Sequence, residues 1–269
     1  MQDQLSPHST PIVLTIAGSD CSGGAGIQAD IKAISATGSY ACSVITAITS
    51  QNTRAVNAIL PVPVETIESQ LDAVFSDLNV IAIKVGMLSD APVIEAVAKR
   101  IADYQPRYCV VDPVMVATSG DRLQSPLAVE TLKECLFPVA DLITPNLPEA
   151  EVLTGECFDE SPSDDQQRAL LKLGAQAVLL KGGHRQDSAL SRDWLFSAQH
   201  RQVFDAPRII TRHTHGTGCT LSSAVASYLA QGERLPEAIK RAKNYITQAI
   251  VSANELNVGQ GRGPVQHFF

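Results

Sequence analysis

The chain has 269 residues, 45% of them hydrophobic and 18% charged, a balance that excludes a disordered polypeptide and suits one large α/β domain with a buried core. Its formal net charge of −7 argues against a nucleic-acid partner, because tracking a phosphate backbone needs clustered Lys and Arg. A small-molecule substrate is the class this leaves.

The first ten residues are polar and read as a flexible lead-in with no targeting signal. Residues 12–17 then form an apolar run of strand length, followed by a glycine-rich turn and a helix over 27–37 with Ile27, Ile31 and Ile34 on one face. The alternation continues with strands at 43–49, 81–85, 108–111, 141–144 and 177–180. These are rich in Val and Ile and too uniformly apolar for a sheet with one solvated face, so they predict a mostly parallel sheet between helix layers, a three-layer α/β/α fold. Residues 159–167 are the most polar stretch and read as a surface loop entering a helix. Beyond Lys181, short strands at 194–196, 202–204 and 209–211 predict antiparallel hairpins at the sheet edge. Two closing helices follow at 218–230 and 236–256, the second with Pro236 in its first turn. The tail 259–264 reads as a surface segment. There is no repeat and no linker, so residues 1–269 form one domain.

No apolar run approaches the roughly 18 residues of a membrane span. Cys21, Cys42, Cys109, Cys135, Cys157 and Cys219 contain no C-x-x-C pair, which removes a zinc knuckle or a thioredoxin-like motif and suits reduced thiols in a cytoplasmic protein.

Two glycine-rich turns carry the chemistry. The first, residues 18–26, runs from the first strand into the first helix, where backbone N–H groups and the helix dipole favour an anion or polar ligand. Its segment 24–29 matches the dinucleotide fingerprint G-x-G-x-x-A, yet the ribose-binding acid expected at the tip of the second strand is replaced by Thr49, Ser50, Gln51 and Asn52. A Walker A sequence is also absent, which argues against a P-loop kinase. The second turn, Thr214-His215-Gly216-Thr217-Gly218-Cys219, opens a helix whose first N–H groups suit a phosphoryl group. Cys219 lies in the first turn, where the dipole is expected to lower a thiol pKa and make it a base. A tight structural turn with a packed cysteine reads the same residues equally well.

These stretches, with Lys84-Val85-Gly86-Met87-Leu88, Asp112-Pro113-Val114-Met115, Thr144-Pro145-Asn146-Leu147-Pro148-Glu149 and Leu180-Lys181-Gly182-Gly183-His184, resemble in order and spacing the hydroxymethylpyrimidine/phosphomethylpyrimidine kinases of thiamine biosynthesis, a branch of the ribokinase-like superfamily. The resemblance covers nearly the whole chain. It implies ATP and Mg²⁺ as cofactors, a pyrimidine alcohol as substrate and a homodimeric, cytoplasmic enzyme.

By that resemblance Gln51 reads the aminopyrimidine edge, since an amide pairs a donor and an acceptor with a ring nitrogen and its exocyclic amine. Gly18, Ala25, Thr49, Met87 and Val114 line the rest of the pocket; Asp30, about one turn beyond Gly26 on the first helix, is grouped with these substrate-binding residues but faces the pocket or solvent depending on helix register. The family often has Val at the position of Thr49 and Pro at that of Cys21. Asn146 and Glu149 match the superfamily's Asn-x-x-Glu motif for Mg²⁺ and phosphate; without it they read as a helix cap with an acid in the first turn. Asp112 steers the metal or a lysine. Lys181 contacts ATP phosphates, or else snorkels from a strand end. Gly216, Thr217, Gly218 and Cys219 stabilise the transferred phosphoryl group. His215 is left as a positioning residue or a base, and His184 has no catalytic role. Residues 181–193 are a candidate lid. A pyridoxal kinase and a non-catalytic pyrimidine-binding protein are the rival readings.

Overall fold

Along β1 (Ile12–Asp20) successive side chains enter opposite cores, Leu14 and Ile16 on one side and Val13 on the other. The same division repeats in β4 (Val80–Val85), with Ile83 and Val85 against Ala82, and in β5 (Tyr108–Val111), with Cys109 and Val111 against Val110. A strand has a side-chain period of two, so apolar residues at every position mean burial on both faces. The predicted three-layer α/β/α ribokinase-like architecture is what these runs build.

The structure is a computed structural model that describes residues 10–115, 124–158, 161–183 and 189–269. The remaining strands are β2 (Tyr40–Gln51), β3 (Val56–Pro61), β6 (Leu142–Ile143), β7 (Ala177–Lys181), β8 (Leu190–Ser197) and β9 (Arg201–Pro207). They form one nine-stranded sheet in the order β3-β2-β1-β4-β5-β6-β7-β8-β9. β2, β1, β4, β5, β6 and β7 pair in parallel, while β3 at one edge and β8 and β9 at the other are antiparallel.

One face carries α2 (Val64–Asp77), α3 (Ala91–Tyr104), α4 (Pro126–Thr131), α5 (Leu147–Thr154) and α6 (Asp164–Leu171), whose Ile67, Ile94, Val129, Leu153 and Leu170 share a core with the strands. The other carries α1 (Gly26–Ala36), α7 (Thr217–Ala230) and α8 (Leu235–Val251). α7 is buried at every residue from Thr220 to Ala230, which explains its run of small side chains. Its hydroxyls are satisfied: Ser222 donates to the Gly218 carbonyl, Ser223 to Asp30 and Ser227 to Ser39.

Several expectations need correction. Residues 209–211 form no strand, and Ile210 is 97% exposed with no sheet face to pack on. β3 was not expected, because as an edge strand facing solvent it shows no buried alternation. The second closing helix ends at Val251 and continues as a 3₁₀ turn, Ser252–Glu255. The tail is not a loose surface segment: Gly261 N–H donates to Thr53 Oγ1 at 3.0 Å, Gly263 C=O accepts from His215 N–H at 3.1 Å, and Val265 is buried. The flexible lead-in at 1–9, the part of the candidate lid at 184–188 with His184, and residues 159–160 of the polar loop lie outside the described residues. No described helix is long and apolar enough to cross a membrane, and all six cysteines are free.

Candidate active site

The carboxyl ends of β1, β2, β4, β5, β6 and β7 all open to one side of the sheet, the edge where open α/β sheets bind ligands. A cleft of about 690 Å³ runs along it. Of the predicted site residues, Gly18, Ala25, Thr49, Gln51, Met87, Val114, Asp112, Asn146, Glu149, Lys181, Gly216, Thr217, Gly218 and Cys219 all line this cleft.

Asp30 does not. It is fully buried on α1, where its carboxylate accepts from Thr15 Oγ1 (2.6 Å), Ser223 Oγ (2.8 Å) and Lys84 Nζ (2.8 Å). Its expected substrate contact is replaced by a structural one, an ion pair beneath the site. Lys84 is itself fully buried, and although burial favours its neutral form, the charge of Asp30 holds its pKa above the ordinary lysine value. The sequence carries a signal for this: Ile27, Asp30 and Ile34 fall on one helical face, so an acid sits in an apolar stripe and needs a buried partner.

At the substrate end, Gly18 leaves room that a Cβ would take from Met87, whose Cε would lie 2.8 Å away. The Thr49 hydroxyl donates to the Ser19 carbonyl at 2.8 Å, so the departure from Val places no free hydroxyl in the pocket. Cys21, at the position where the family often has Pro, is exposed, and its thiol donates to the Gln51 carbonyl at 3.1 Å.

Sequence reasoning missed Asp20, which ends β1 in the middle of the first glycine turn. It is 1% exposed, and its Oδ2 accepts from Gly24 N–H (3.0 Å), Ala25 N–H (2.8 Å) and His215 Nε2 (2.8 Å). Its Oδ1 accepts from the Ser22 N–H and hydroxyl, at 2.8 and 2.7 Å. Burial opposes ionisation, but hydrogen bonds from His215 and Ser22 outweigh it and hold Asp20 well below the usual carboxylate range. His215 therefore points at Asp20, which favours the positioning role over the base.

The second glycine turn packs on the first. Gly216 starts α7 with φ +79°, and a Cβ there would overlap the Gly24 carbonyl. Thr220 N–H makes the first intrahelical bond, to the Gly216 carbonyl at 2.9 Å, so the N–H groups of Gly218 and Cys219 precede the helical ladder and are available to an anion. Thr217 N–H instead bonds the Thr214 carbonyl at 3.3 Å. A Cβ on Gly218 would lie 3.2 Å from Asp112 Oδ2 and 3.3 Å from Lys181 Nζ; the bare backbone lets this ion pair reach the helix start.

Lys181 Nζ contacts Asp112 Oδ1 at 2.7 Å, and Thr144 Oγ1 donates to the same oxygen at 3.0 Å. Asp112 thus pairs with the lysine, one of its two expected partners. Burial works against its charge, but Lys181 and Lys84 lower its pKa; the charges of Asp112 and Glu149 in turn raise that of Lys181 against its own burial. Asn146 and Glu149 form a full capping box at the start of α5, Glu149 N–H to Asn146 Oδ1 at 2.9 Å and Asn146 N–H to Glu149 Oε2 at 2.8 Å. The cap reading holds, and the capped Glu149 also lines the cleft. Burial, with Asp112 adding and Lys181 opposing, pushes its pKa up to about 7.

The expected lowering of the Cys219 pKa is not found. Burial pushes the thiol up to about 11, with Asp30 and Asp112 adding to the rise while Lys84 and the Gly26 N–H oppose it.

A sheet edge with an amide at one end, a helix N-terminus beside a lysine at the other, and an open cleft between them define a kinase of the ribokinase-like class. The family described as phosphomethylpyrimidine kinase matches residues 20–266, and the chain belongs to it. It is 49% identical to the Escherichia coli hydroxymethylpyrimidine/phosphomethylpyrimidine kinase, over 95% of this chain and 96% of that one. It is 53% identical over 97% of its length to the Geobacter sulfurreducens thiamine biosynthesis bifunctional protein ThiED, of which it spans about half (53%). Among solved structures, a Bacillus subtilis pyridoxal kinase in complex with ADP superposes with a TM-score of 0.86 at 38% identity, covering 96% of this chain and 98% of that one.

Proposed function

We propose that the protein transfers the γ-phosphoryl group of ATP to the hydroxymethyl group of 4-amino-5-hydroxymethyl-2-methylpyrimidine, and then a second phosphoryl group to the monophosphate, in thiamine biosynthesis. The observation that carries this reading is that one cleft is lined both by Gln51 and by the Gly216–Cys219 helix start with Lys181.

In this reading Gln51 hydrogen-bonds the aminopyrimidine edge, and Gly18, Ala25, Thr49, Met87 and Val114 enclose the ring. Lys181 and the N–H groups of Gly218 and Cys219 receive the phosphoryl group in flight, so positioning and charge stabilisation supply most of the rate. Cys219 is mostly a protonated thiol at neutral pH, so the base role falls to its minor thiolate form, which has given its own proton to solvent and takes that of the alcohol as the phosphoryl group arrives. The monophosphate needs no such help.

The donors near the nucleotide end, Glu149, the Asn146 amide and Asp112, are oxygens, the set that suits Mg²⁺. Among the described residues no three side chains converge as a metal cage, which fits a cation held mainly by nucleotide phosphates and water with Glu149 behind them. Its chemistry there would be to neutralise phosphate charge. The family resemblance also carries the homodimer.

Pyridoxal is the rival substrate, favoured by the likeness to the Bacillus subtilis pyridoxal kinase. Side-by-side turnover of the two alcohols by the native enzyme and by Gln51→Leu decides between them. The variant loses the pyrimidine selectively; equal losses on both alcohols would remove Gln51 from recognition.

A further inference from the structure

The tail, marked in the sequence by a glycine at every second position from 259 to 263, joins the two ends of the cleft. A Cβ on Gly259 or Gly261 would collide with Thr53, and one on Gly263 with His213, so bare backbone is what lets this segment lie against both. Thr53 belongs to the turn that follows Gln51, closed by Asn52 N–H to the Ala55 carbonyl at 3.1 Å. Its hydroxyl accepts from Gly261 N–H at 3.0 Å and its carbonyl from Arg262 N–H at 2.8 Å, and the Arg54 guanidinium donates to the Gln260 side chain. One residue further, the Gly263 carbonyl accepts from His215 N–H at 3.1 Å, and Pro264 bridges to His215, next to Gly216. Beyond that the chain is anchored: Gln266 N–H donates to the Ala249 carbonyl at 3.0 Å, the Tyr245 hydroxyl to the His267 carbonyl at 2.9 Å, and His267 Nε2 meets Thr220 Oγ1 at 3.0 Å. Residues 261–263 thus span from the turn after Gln51 to the start of α7, and Arg262 between them lines the cleft.

We propose that residues 259–264 are an active-site strap, with Gly261 and Thr53 as positioning residues, which sets the distance between the ring-binding end of the cleft and the phosphoryl turn. This rests on the transfer reading of the site, and deepens it. The acceptor and the phosphoryl group must meet in line, and a misplacement of about 1 Å costs about 10²-fold in rate. Gln51 ends β2, whereas Gly216 starts α7, so the two ends of the cleft belong to different elements. The first glycine turn supplies one link between them, with Asp20 meeting His215 and the Cys21 thiol the Gln51 carbonyl. The strap supplies a second, and two links fix a separation where one leaves a hinge. Neither Gly261 nor Thr53 touches the reacting atoms.

The test compares the native enzyme with Gly261→Ala and the milder Thr53→Val. The Ala Cβ pushes the strap off the Thr53 carbonyl; the Val removes only the hydroxyl that receives Gly261 N–H. The rate of transfer to the alcohol, read in single turnover so that product release does not mask it, is expected to fall about tenfold or more in Gly261→Ala. A smaller fall is expected in Thr53→Val, and the native rate in Thr53→Ser, which keeps both acceptors. KM for the alcohol and for ATP should stay close to native in all three, because each ligand keeps its own contacts. A native transfer rate in both Gly261→Ala and Thr53→Val, or a loss carried by KM, would overturn the proposal. Amide hydrogen exchange on the native enzyme without ligand gives a reading that does not depend on any variant folding. The Gly261 and Arg262 N–H groups are expected to be protected, and exchange as fast as in an open chain would also overturn the strap. Turnover of pyridoxal but not of the aminopyrimidine alcohol would count against the substrate reading alone, since a distance does not depend on which ring is held, and the same variants are then compared on pyridoxal.

Discussion

The ammonium of Lys181 lies 2.7 Å from Asp112 Oδ1, joining the carboxyl ends of β7 and β5 across β6. The pair sits where a Cβ on Gly218 would touch both partners, so the strand ends and the start of α7 are one electrostatic unit. Lys181 holds Asp112 and, in the proposed function, also receives phosphate.

Removing that cation should therefore show in two measurements. Lys181→Met is expected to lower kcat by about 10²–10³, the scale of one lost transition-state charge contact. Steady-state kinetics at saturating substrates reads this. It also leaves Asp112 buried without its partner, at a cost of about 3–5 kcal/mol. Urea denaturation should show part of that stability restored in the Lys181→Met/Asp112→Asn double variant, while its activity stays low.

Cys219→Ala is expected to lower turnover of the alcohol more than turnover of the monophosphate, because only the alcohol has a proton to give up. Equal losses would leave Cys219 as a packing residue. With a pKa near 11, the thiol is expected to react slowly with iodoacetamide at pH 7, well behind the exposed Cys21; peptide mapping by mass spectrometry reads the order.

The two glycines of the phosphoryl turn should fail differently on substitution. Gly216→Ala forces a Cβ into the left-handed region and onto the Gly24 carbonyl, and should cost at least about 2 kcal/mol of stability. Gly218→Ala meets only side-chain atoms, at 3.2–3.3 Å. It is expected to unfold in urea close to the native midpoint while kcat falls about tenfold or more, because the Lys181 and Asp112 heads must shift.

The tail should make the protein acid-sensitive. Burial first, and the charge of Lys32 second, lower the pKa of His267 from 6.5 to about 4, and its Nε2 meets Thr220 Oγ1 at 3.0 Å. The unfolded chain takes up this proton at a higher pH than the folded one, so the contribution of His267 to stability is present above about pH 6.5 and is lost as pH falls toward 4. Urea midpoints of native and His267→Gln protein should converge between pH 7 and pH 4.5. A gap that stays constant across that range would rule the linkage out.

Much of this site was legible because its parts fall at the ends of apolar runs. Val, Ile and Leu at consecutive positions in β1, β4, β5 and β7 announce a sheet buried on both faces, and that alone places Gln51, Asp112 and Lys181 on one edge. Asn146 and Glu149 were legible twice over, as a cap and as a site motif. The misses have physical causes. Asp30 looked like a ligand group because the partner that neutralises it, Lys84, lies 54 residues away in sequence, on β4. The depressed thiol pKa expected of Cys219 rested on the helix dipole; desolvation, which only the packed structure reveals, outweighs it. β3 has no buried face, so hydrophobic patterning cannot show it. The glycines and proline of the tail suggest a loose surface, whereas backbone pairing to His215 and Thr53 holds it down. Asp20 was hidden inside a glycine motif whose spacing drew attention to the glycines and away from the acid that gathers their N–H groups.

The central claim is that one cleft joins pyrimidine recognition at Gln51 to phosphoryl transfer at the start of α7. It is tested most directly by following ADP release from ATP and Mg²⁺ by the purified protein with the aminopyrimidine alcohol, and weighing the products by mass spectrometry. The account predicts release above the ATP-only blank, with the monophosphate forming first and the diphosphate after it. Release no faster than the blank, with the alcohol recovered unchanged, would contradict it.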